Sequence, residues 1–490
     1  MSTPTVPAVP TLPTQRRREA LRQWLLESEP VFGGSPVDVL VDGSEYFEHW
    51  FDSVARVFRA KYGPRRVLHY GWRLMNIAPE GKVPNATGLV AMLRHAASHE
   101  VEVRVSASGH AWGFVAVPPP LWWRLRRSRG VQVLIDRSLR NVILSNHVKL
   151  SIFEAGTDVW AVLGSVDLAA PRYDRAHERI DPRRYATPRG PSHDLGVRIE
   201  GPAAIELQRR FAARWTAACS DEHRRRVRRV SGSTALTPMA ESVVEPTPDP
   251  RVTGTVQIVE TIPPSIGLAA PTNSFGRLLH RAIATAREYI YIEDQYFAPD
   301  LLDTPAGAQG LGPEFDVLPL LVDALRRGVR VIVLLPSRDP GRTGTVTELI
   351  DRRRDRAIWR LQSEGDATNL VTLQYNLPTH PVYIHSKLVI CDDEFMLVGS
   401  ANICRRGLLS DLELAVGIVN PLLVTATRQR LWAEHAGLHE GSPEAAGSWS
   451  QMLAAMTSSR RLAAYTVDRE PAAYSRLDTW LIDTFIDPIQ

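Results

Sequence analysis

Residues 385–402 read HSKLVICDDEFMLVGSAN. Two apolar runs, Leu388 to Ile390 and Met396 to Val398, are bounded by acidic residues and a Gly-Ser pair, which predicts a β-hairpin. A hairpin alone does not explain the polar residues at its mouth. In a strand, residues i and i+2 leave the sheet on one face, so His385 and Lys387 point together. Ser400 and Asn402 repeat that spacing after the hairpin, and the four groups converge where they could hold a phosphate.

The same arrangement occurs earlier in the chain. Residues 147–168 read HVKLSIFEAGTDVWAVLGSVDL, with His147, Lys149, a carboxylate at Glu154, and a Gly-Ser followed by an acid, here Ser165 and Asp167. Asp392 is the carboxylate of the second copy. The return strand comes three residues later in the first copy, a difference that a longer hairpin loop would absorb. The flanks repeat as well. Residues 46–75 and 88–108 read helix, strand, helix, strand, and so do residues 274–297 and 318–336. After each hairpin comes a strand ending in proline, DLGVRIEGP (194–202) and ELAVGIVNP (413–421), and each leads into an amphipathic helix. Eight residues before each proline stands a carboxylate, Asp194 and Glu413.

The pattern predicts an α/β protein of two tandem halves, each a mixed sheet flanked by helices, packed with pseudo-two-fold symmetry around one active site. The halves span 37–226 and 255–438. A Ser/Thr/Pro-rich linker fills 227–254, a disordered or helical arm precedes residue 37, and a tail at 439–490 packs on the second half. The segment 302–316 reads as a loop near the cleft.

Bulk properties narrow the function. The chain has 490 residues, 44% of them hydrophobic, and a net charge of +4 from 58 basic and 54 acidic residues, which argues mildly against nucleic acid as partner. The basic runs at 16–18, 124–129 and 223–229 read first as solvated faces. Trp122 and Trp123 beside one of them read first as core, and as lipid-headgroup contacts second. Trp72, Trp112 and Tyr296 are candidates to line a substrate groove. Three cysteines make no disulfide framework. No apolar stretch approaches membrane-spanning length, and the Pro/Thr-rich start is unlike a secretory signal. The expectation is a cytoplasmic monomer in transient contact with a membrane surface, or one exported without a cleavable signal.

The chemistry follows from the residue types. A phosphodiester is an anion, so Lys149 and Lys387 supply cations, while Ser165, Asp167, Ser400 and Asn402 stand as the phosphate-binding set. With one imidazole on each side of the phosphorus, one attacks and the other protonates the leaving oxygen. Asp194 and Glu413 are natural partners for the far ring nitrogens, where a carboxylate fixes the tautomer. Glu154 and Asp392 are expected to brace the two halves. The scheme calls for no metal and no cofactor.

The two His-x-Lys-x4-acid motifs, the segments YIEDQYF (291–297) and SHDLGVRIEGPAA (192–204), and GSANICRRGLLSDLELAVG (399–417) together resemble the phospholipase D superfamily, from about Val37 to about Leu438. The likeness is closer to the two-motif phospholipases than to the short nucleases. Glu154 replaces the usual Asp of the first motif, and Cys404 and Gly407 depart from the usual run after the second Gly-Ser. The resemblance implies phospholipid hydrolysis or headgroup exchange through a phosphohistidine, with His147 as nucleophile and His385 as acid. The alternatives are a nuclease or another phosphodiesterase on the same scaffold, or a catalytically silent lipid-binding relative.

Overall fold

A computed structural model of the chain describes residues 22–79, 88–108, 121, 124–125, 127–136, 145–174, 192–219, 236–241, 244–245, 247–252, 254–263, 271–299, 316–337, 345–376 and 382–472. Trp112, Trp122, Trp123, the basic runs at 16–18 and 223–229, the loop at 302–315 and part of the linker, including 227–235, lie outside these residues.

The first half opens with β2 (Val37–Val41), after β1 (Val31–Gly33), and continues into a helix at Asp42–Arg59. That helix forms because Tyr46, Phe47, Trp50, Phe51, Val54 and Val57 recur at helical spacing and are all buried. Its first turn holds Asp42 and Glu45 and its last turn Arg56 and Arg59, the charge order that suits the helix dipole. There follow β3 (Arg65–Gly71), a helix at Leu89–Ser98, β4 (Glu102–Ser108), β5 (Val131–Asp136), the hairpin β6 (Leu150–Ala155) and β7 (Asp158–Gly164), the short β8 (Ser192–His193), β9 (Leu195–Glu200) and a helix at Pro202–Ala218. The sheet order is β2-β9-β7-β6-β3-β4-β5.

The second half comprises β10 (Thr255–Ile262), β11 (Thr272–Asn273), β12 (Tyr289–Asp294), β13 (Arg330–Leu335), β14 (Leu370–Tyr375), β15 (Tyr383–Ile384), the hairpin β16 (Lys387–Cys391) and β17 (Phe395–Gly399), and β18 (Glu413–Val419), with β19 (Leu462–Ala464) from the tail. Helices lie at Ser274–Thr285, Val317–Arg326, Thr345–Glu364 and Pro421–Ala436. Its sheet runs β1-β10-β18-β17-β16-β12-β13-β14-β19, with β11 on β10. From β10 to β14 this repeats the first sheet strand for strand. In both, three strands run parallel and the hairpin joins them antiparallel. The fold is mixed α/β.

The two sheets share a core. One buried apolar cluster contains Leu163, Leu195 and Val197 from the first half and Val398, Leu414 and Val416 from the second. Backbone pairing also crosses the junction. β8 pairs with β15, and Asn146 bridges to Leu412.

Two expectations are corrected here. The three extra residues of the first hairpin lengthen its strands, not its loop. β6 and β7 have six and seven residues around the two-residue turn Gly156–Thr157, whereas β16 and β17 have five each around Asp392–Glu394. Gly156 sits at φ +71, a conformation open to glycine, and so permits the tighter turn. Residues 22–36 are not a free arm. Trp24 is buried, stacks on Phe395 with ring centroids 5.5 Å apart, and donates to Glu394 Oε2 at 2.8 Å. The Gln257 amide holds both the N–H and the carbonyl of Leu26, at 2.9 and 2.8 Å. This segment therefore extends the second sheet.

In the tail, a capping box of Ser448 and Gln451 starts the helix Trp449–Ser458, which lies on the helix Pro421–Ala436. No helix among the described residues is long and apolar enough to cross a membrane. Cys219, Cys391 and Cys404 are buried and form no disulfide with one another.

Candidate active site

The two hairpins bring His147 and His385 to the seam between the sheets. His147 stands just before β6, its backbone N–H donating to Leu412 of the other half at 3.0 Å. His385 stands just before β16, its N–H donating to His193 of the other half at 2.8 Å. Both rings are almost wholly buried. Each imidazole takes its carboxylate from the opposite half. His147 Nδ1 lies 2.9 and 3.1 Å from the two oxygens of Glu413, and His385 Nδ1 lies 2.6 Å from Asp194 Oδ1. The carboxylates hold Nδ1 and leave Nε2 as the working nitrogen, and His385 Nε2 is buried without a hydrogen-bond partner.

The serines expected at the phosphate serve the carboxylates instead. Ser165 Oγ donates to Asp194 Oδ1 at 2.6 Å, and Ser400 Oγ donates to Glu413 Oε2. Each also accepts a backbone N–H, from Leu195 and Leu414, at 3.0 Å. A hydroxyl has one proton, and here it is committed. Asp167 is likewise removed from the phosphate-binding set. Its carboxylate takes Arg172 Nη2 at 3.2 Å, faces Lys149 Nζ at 3.5 Å, and accepts from the Arg73 N–H at 3.3 Å. Burial alone would raise this carboxyl, but Lys149 and Arg172 outweigh it and hold the group below its ordinary range. An ionised carboxylate does not receive a phosphate. Asn402, buried just after the second Gly-Ser, remains a candidate, since its side-chain NH2 group can donate to a phosphate oxygen. Gly407, one of the departures noted above, is explained by the same loop: a Cβ there would lie 2.3 Å from the Asn402 carbonyl oxygen.

The lysines anchor to the backbone of their own motifs. Lys149 Nζ donates to the His147 carbonyl at 2.9 Å, and Lys387 Nζ to the His385 carbonyl at 2.6 Å and to Gln295 Oε1 at 3.0 Å. An ammonium has three protons, so each lysine keeps at least one for a ligand oxygen. Lys149 also lies 5.6 Å from the Trp72 ring centroid, whose indole meets His147 edge-on at 5.9 Å. Tyr296 is buried and packs with Leu349 and Cys404.

Glu154 and Asp392 do not reach the site, nor do they join the halves. Glu154, fully buried on β6, pairs with Arg66 of the neighbouring β3 at 2.8 Å. Asp392 sits in the hairpin turn at φ +54, and its carboxylate accepts the backbone N–H groups of Arg287, Glu288 and Tyr289 at 2.8, 3.0 and 2.9 Å. Each braces its own half, because five residues past the lysine the strand has carried the chain to the far end of the sheet. Glu154→Gln should therefore leave turnover within about threefold while lowering stability by ~1–3 kcal/mol, a drop of a few degrees in a thermal melt, since Arg66 keeps Glu102 as a second partner. A large loss of turnover with an unchanged melt would contradict the assignment.

Two contributors were not visible in the sequence. Gln295 ends the segment entered by β12, and its amide meets Lys387 only because β12 pairs with β16. Arg172, in a single turn of 3-10 helix, ties Asp167 to Ser192 and has Nε 4.0 Å from Asp194 Oδ2. No periodicity marks it.

The cations shape the protonation of the site. His385 is pushed well below the ordinary imidazole range by burial and then by Arg172, Lys387, Lys149 and His147. Asp194 is pushed up to about 6 by burial, against the pull of Arg172 and Lys387. Lys387 is lowered to about 8 by burial and by Lys149. An anion bound among these groups cancels the repulsion on His385 and raises its proton affinity. Sulfate, which carries no titratable proton near neutrality, should therefore bind at pH 6.5 with uptake of about one proton. Calorimetric titration in two buffers of different ionisation enthalpy measures this, and a heat independent of buffer would refute it.

The site thus holds two imidazoles backed by carboxylates, each with the lysine of its own motif beside it. The family described as "Cardiolipin synthase, PLD-like domain" matches residues 279–434. The chain is 26% identical over 399 residues to phospholipase D delta of Arabidopsis thaliana, covering 57% of this chain and 46% of that one. It is 27% identical over 338 residues to phospholipase D alpha 2 of Oryza sativa subsp. japonica, covering 51% and 40%. It thus spans about half the length of the curated relatives it matches. Among solved structures, the phosphatidylserine synthase of Haemophilus influenzae Rd KW20 shares the fold, with a TM-score of 0.56 at 13% identity, covering 86% of this chain and 90% of that one. Residues 279–434 thus match a PLD-like domain family, and the curated relatives that the chain resembles are phospholipases D.

Proposed function

We propose that the protein is a phosphodiester-processing enzyme of phospholipase D type that hydrolyses glycerophospholipids or transfers their phosphatidyl group to an alcohol. The observation that carries this reading is the crossed pairing of His147 with Glu413 and His385 with Asp194 beside Lys149 and Lys387. In the first step His147 Nε2 attacks phosphorus, and the bond from phosphorus to the headgroup oxygen breaks. His385, made an imidazolium as the phosphate anion arrives, gives its proton to that oxygen. In the second step water or an alcohol loses a proton to His385 and attacks phosphorus, and the nitrogen–phosphorus bond breaks. Glu413 keeps the Nδ1 proton on His147, so its Nε2 lone pair faces the substrate. The lysines and Asn402 receive the charge that spreads over the phosphoryl oxygens.

The test is purified protein with phosphatidylcholine vesicles, ethanol and EDTA, assayed for choline, phosphatidic acid and phosphatidylethanol. Phosphatidylethanol formation supports covalent transfer on lipid. Choline and phosphatidic acid alone point to a hydrolase that excludes alcohols. No turnover of this or any other phospholipid headgroup would overturn the proposal.

A further inference from the structure

Glu293, in the YIEDQYF segment, takes no part in the reaction above, yet it lies at the seam behind it. It is fully buried on β12. One oxygen accepts from Tyr291 Oη at 2.7 Å and lies 3.0 Å from His435 Nε2. The other accepts from Ser386 Oγ and lies 3.1 Å from His193 Nε2. Ser386 stands between His385 and Lys387. The second nitrogen of His193 lies 2.9 Å from Asp42 Oδ1. An ionised carboxylate only accepts hydrogen bonds, so a ring facing one on each side carries both protons.

This ring links the halves, with Asp42 and His193 from the first and Glu293 from the second. It also touches the catalytic frame on two sides. The His193 carbonyl accepts from the N–H groups of His385 and Ser386 at 2.8 and 2.9 Å. Asp42 donates its N–H to the Asp194 carbonyl at 2.9 Å, and its carboxylate lies 3.4 Å from the Asp194 N–H. Asp42 holds the left-handed conformation, at φ +62, that makes both contacts. Buried charge clusters of this kind are poor stabilisers compared with apolar packing, so stability alone does not account for the arrangement.

We propose that His193 is a positioning residue for the reaction proposed above: a buried imidazolium that pins Asp42 to Glu293 across the seam and so sets Asp194 and Ser386 around His385. The proposal rests on that reading of the site. His193, Glu293 and His435 could also be grouped as metal ligands. The acceptor positions of Glu293 are filled by four donors, however, and its spacings to the two rings are those of hydrogen bonds.

The experiment uses the full chain as wild type, His193→Gln and Asp42→Asn, with bis(p-nitrophenyl) phosphate and the phospholipid found above as substrates. Both variants should lose about 10- to 100-fold in kcat with KM within about threefold, because the defect lies in the orientation of His385 and not in binding. Asp42→Asn keeps the shape of the site and decides the matter if His193→Gln fails to fold. In parallel, wild type labelled with 15N-histidine should show one ring with both N–H groups protonated at pH 9, absent from His193→Gln. That resonance does not depend on turnover, so an inactive wild type sinks the proposed function while the ring assignment is still decided. Unchanged kcat in folded Asp42→Asn, a missing resonance, or stoichiometric zinc in the purified wild type would each overturn the inference.

Discussion

Replacement of either His147 or His385 by asparagine is expected to lower turnover of a phospholipid at least about a thousand-fold without unfolding the chain, because each variant removes one of two consecutive roles. The two losses should separate on an activated substrate. A p-nitrophenolate leaving group departs without a proton, so His385→Asn should still form a phosphoenzyme from bis(p-nitrophenyl) phosphate, in a burst that is then slow to clear. His147→Asn should form none. Samples denatured at alkaline pH keep the bond to imidazole, and its loss on later acid treatment is the signature that reports this directly. A phosphoenzyme in His147→Asn and none in His385→Asn would reverse the two roles. Labelling in both variants would place the nucleophile elsewhere.

The second large effect concerns the crossed carboxylates. Glu413→Gln and Asp194→Asn should each reduce kcat by about 10²- to 10⁴-fold, in line with what amide replacement does to a carboxylate–histidine pair elsewhere. The variants should again differ by step. An amide that donates to His147 Nδ1 forces the ring proton onto Nε2 and occupies the lone pair needed for attack, so Glu413→Gln should abolish the burst. The same change at Asp194 leaves a proton on His385 Nε2 but removes the anion that stabilises the imidazolium, so a burst should survive. Ser400 and Ser165 donate to these carboxylates, and their replacement by alanine should give weaker versions of the two phenotypes. Equal bursts in Glu413→Gln and wild type would rule out the tautomer argument.

Much of this was legible in the sequence because it is written twice. The repeat of His-x-Lys, return strand and proline-terminated strand identified both halves and picked out Asp194 and Glu413 by position alone. The repeat also implied that the two sheets are built alike, but the order of their strands was not read from it. What could not be read was anything decided across the seam. Nothing in the spacing says that Asp194 serves His385 and not His147, because that depends on how two sheets face one another. The serines were misjudged for a local reason: a hydroxyl beside a buried carboxylate spends its only proton there. Glu154 and Asp392 looked equivalent by count, yet one lies within a strand and the other in a turn, since the first hairpin extends its strands. Trp24 gave no warning either, as a single tryptophan carries no period.

The crossed pairing has a further consequence for how the chain can change over time. A half on its own retains a histidine and a lysine but lacks the acid that orients them; that acid belongs to its counterpart. Damage at Asp194 is thus expressed at His385, and damage at Glu413 at His147. The two halves, only loosely alike in sequence, are bound to a common fate. Neither can drift, specialise or be exchanged for a foreign copy without carrying over the residue that its neighbour depends on.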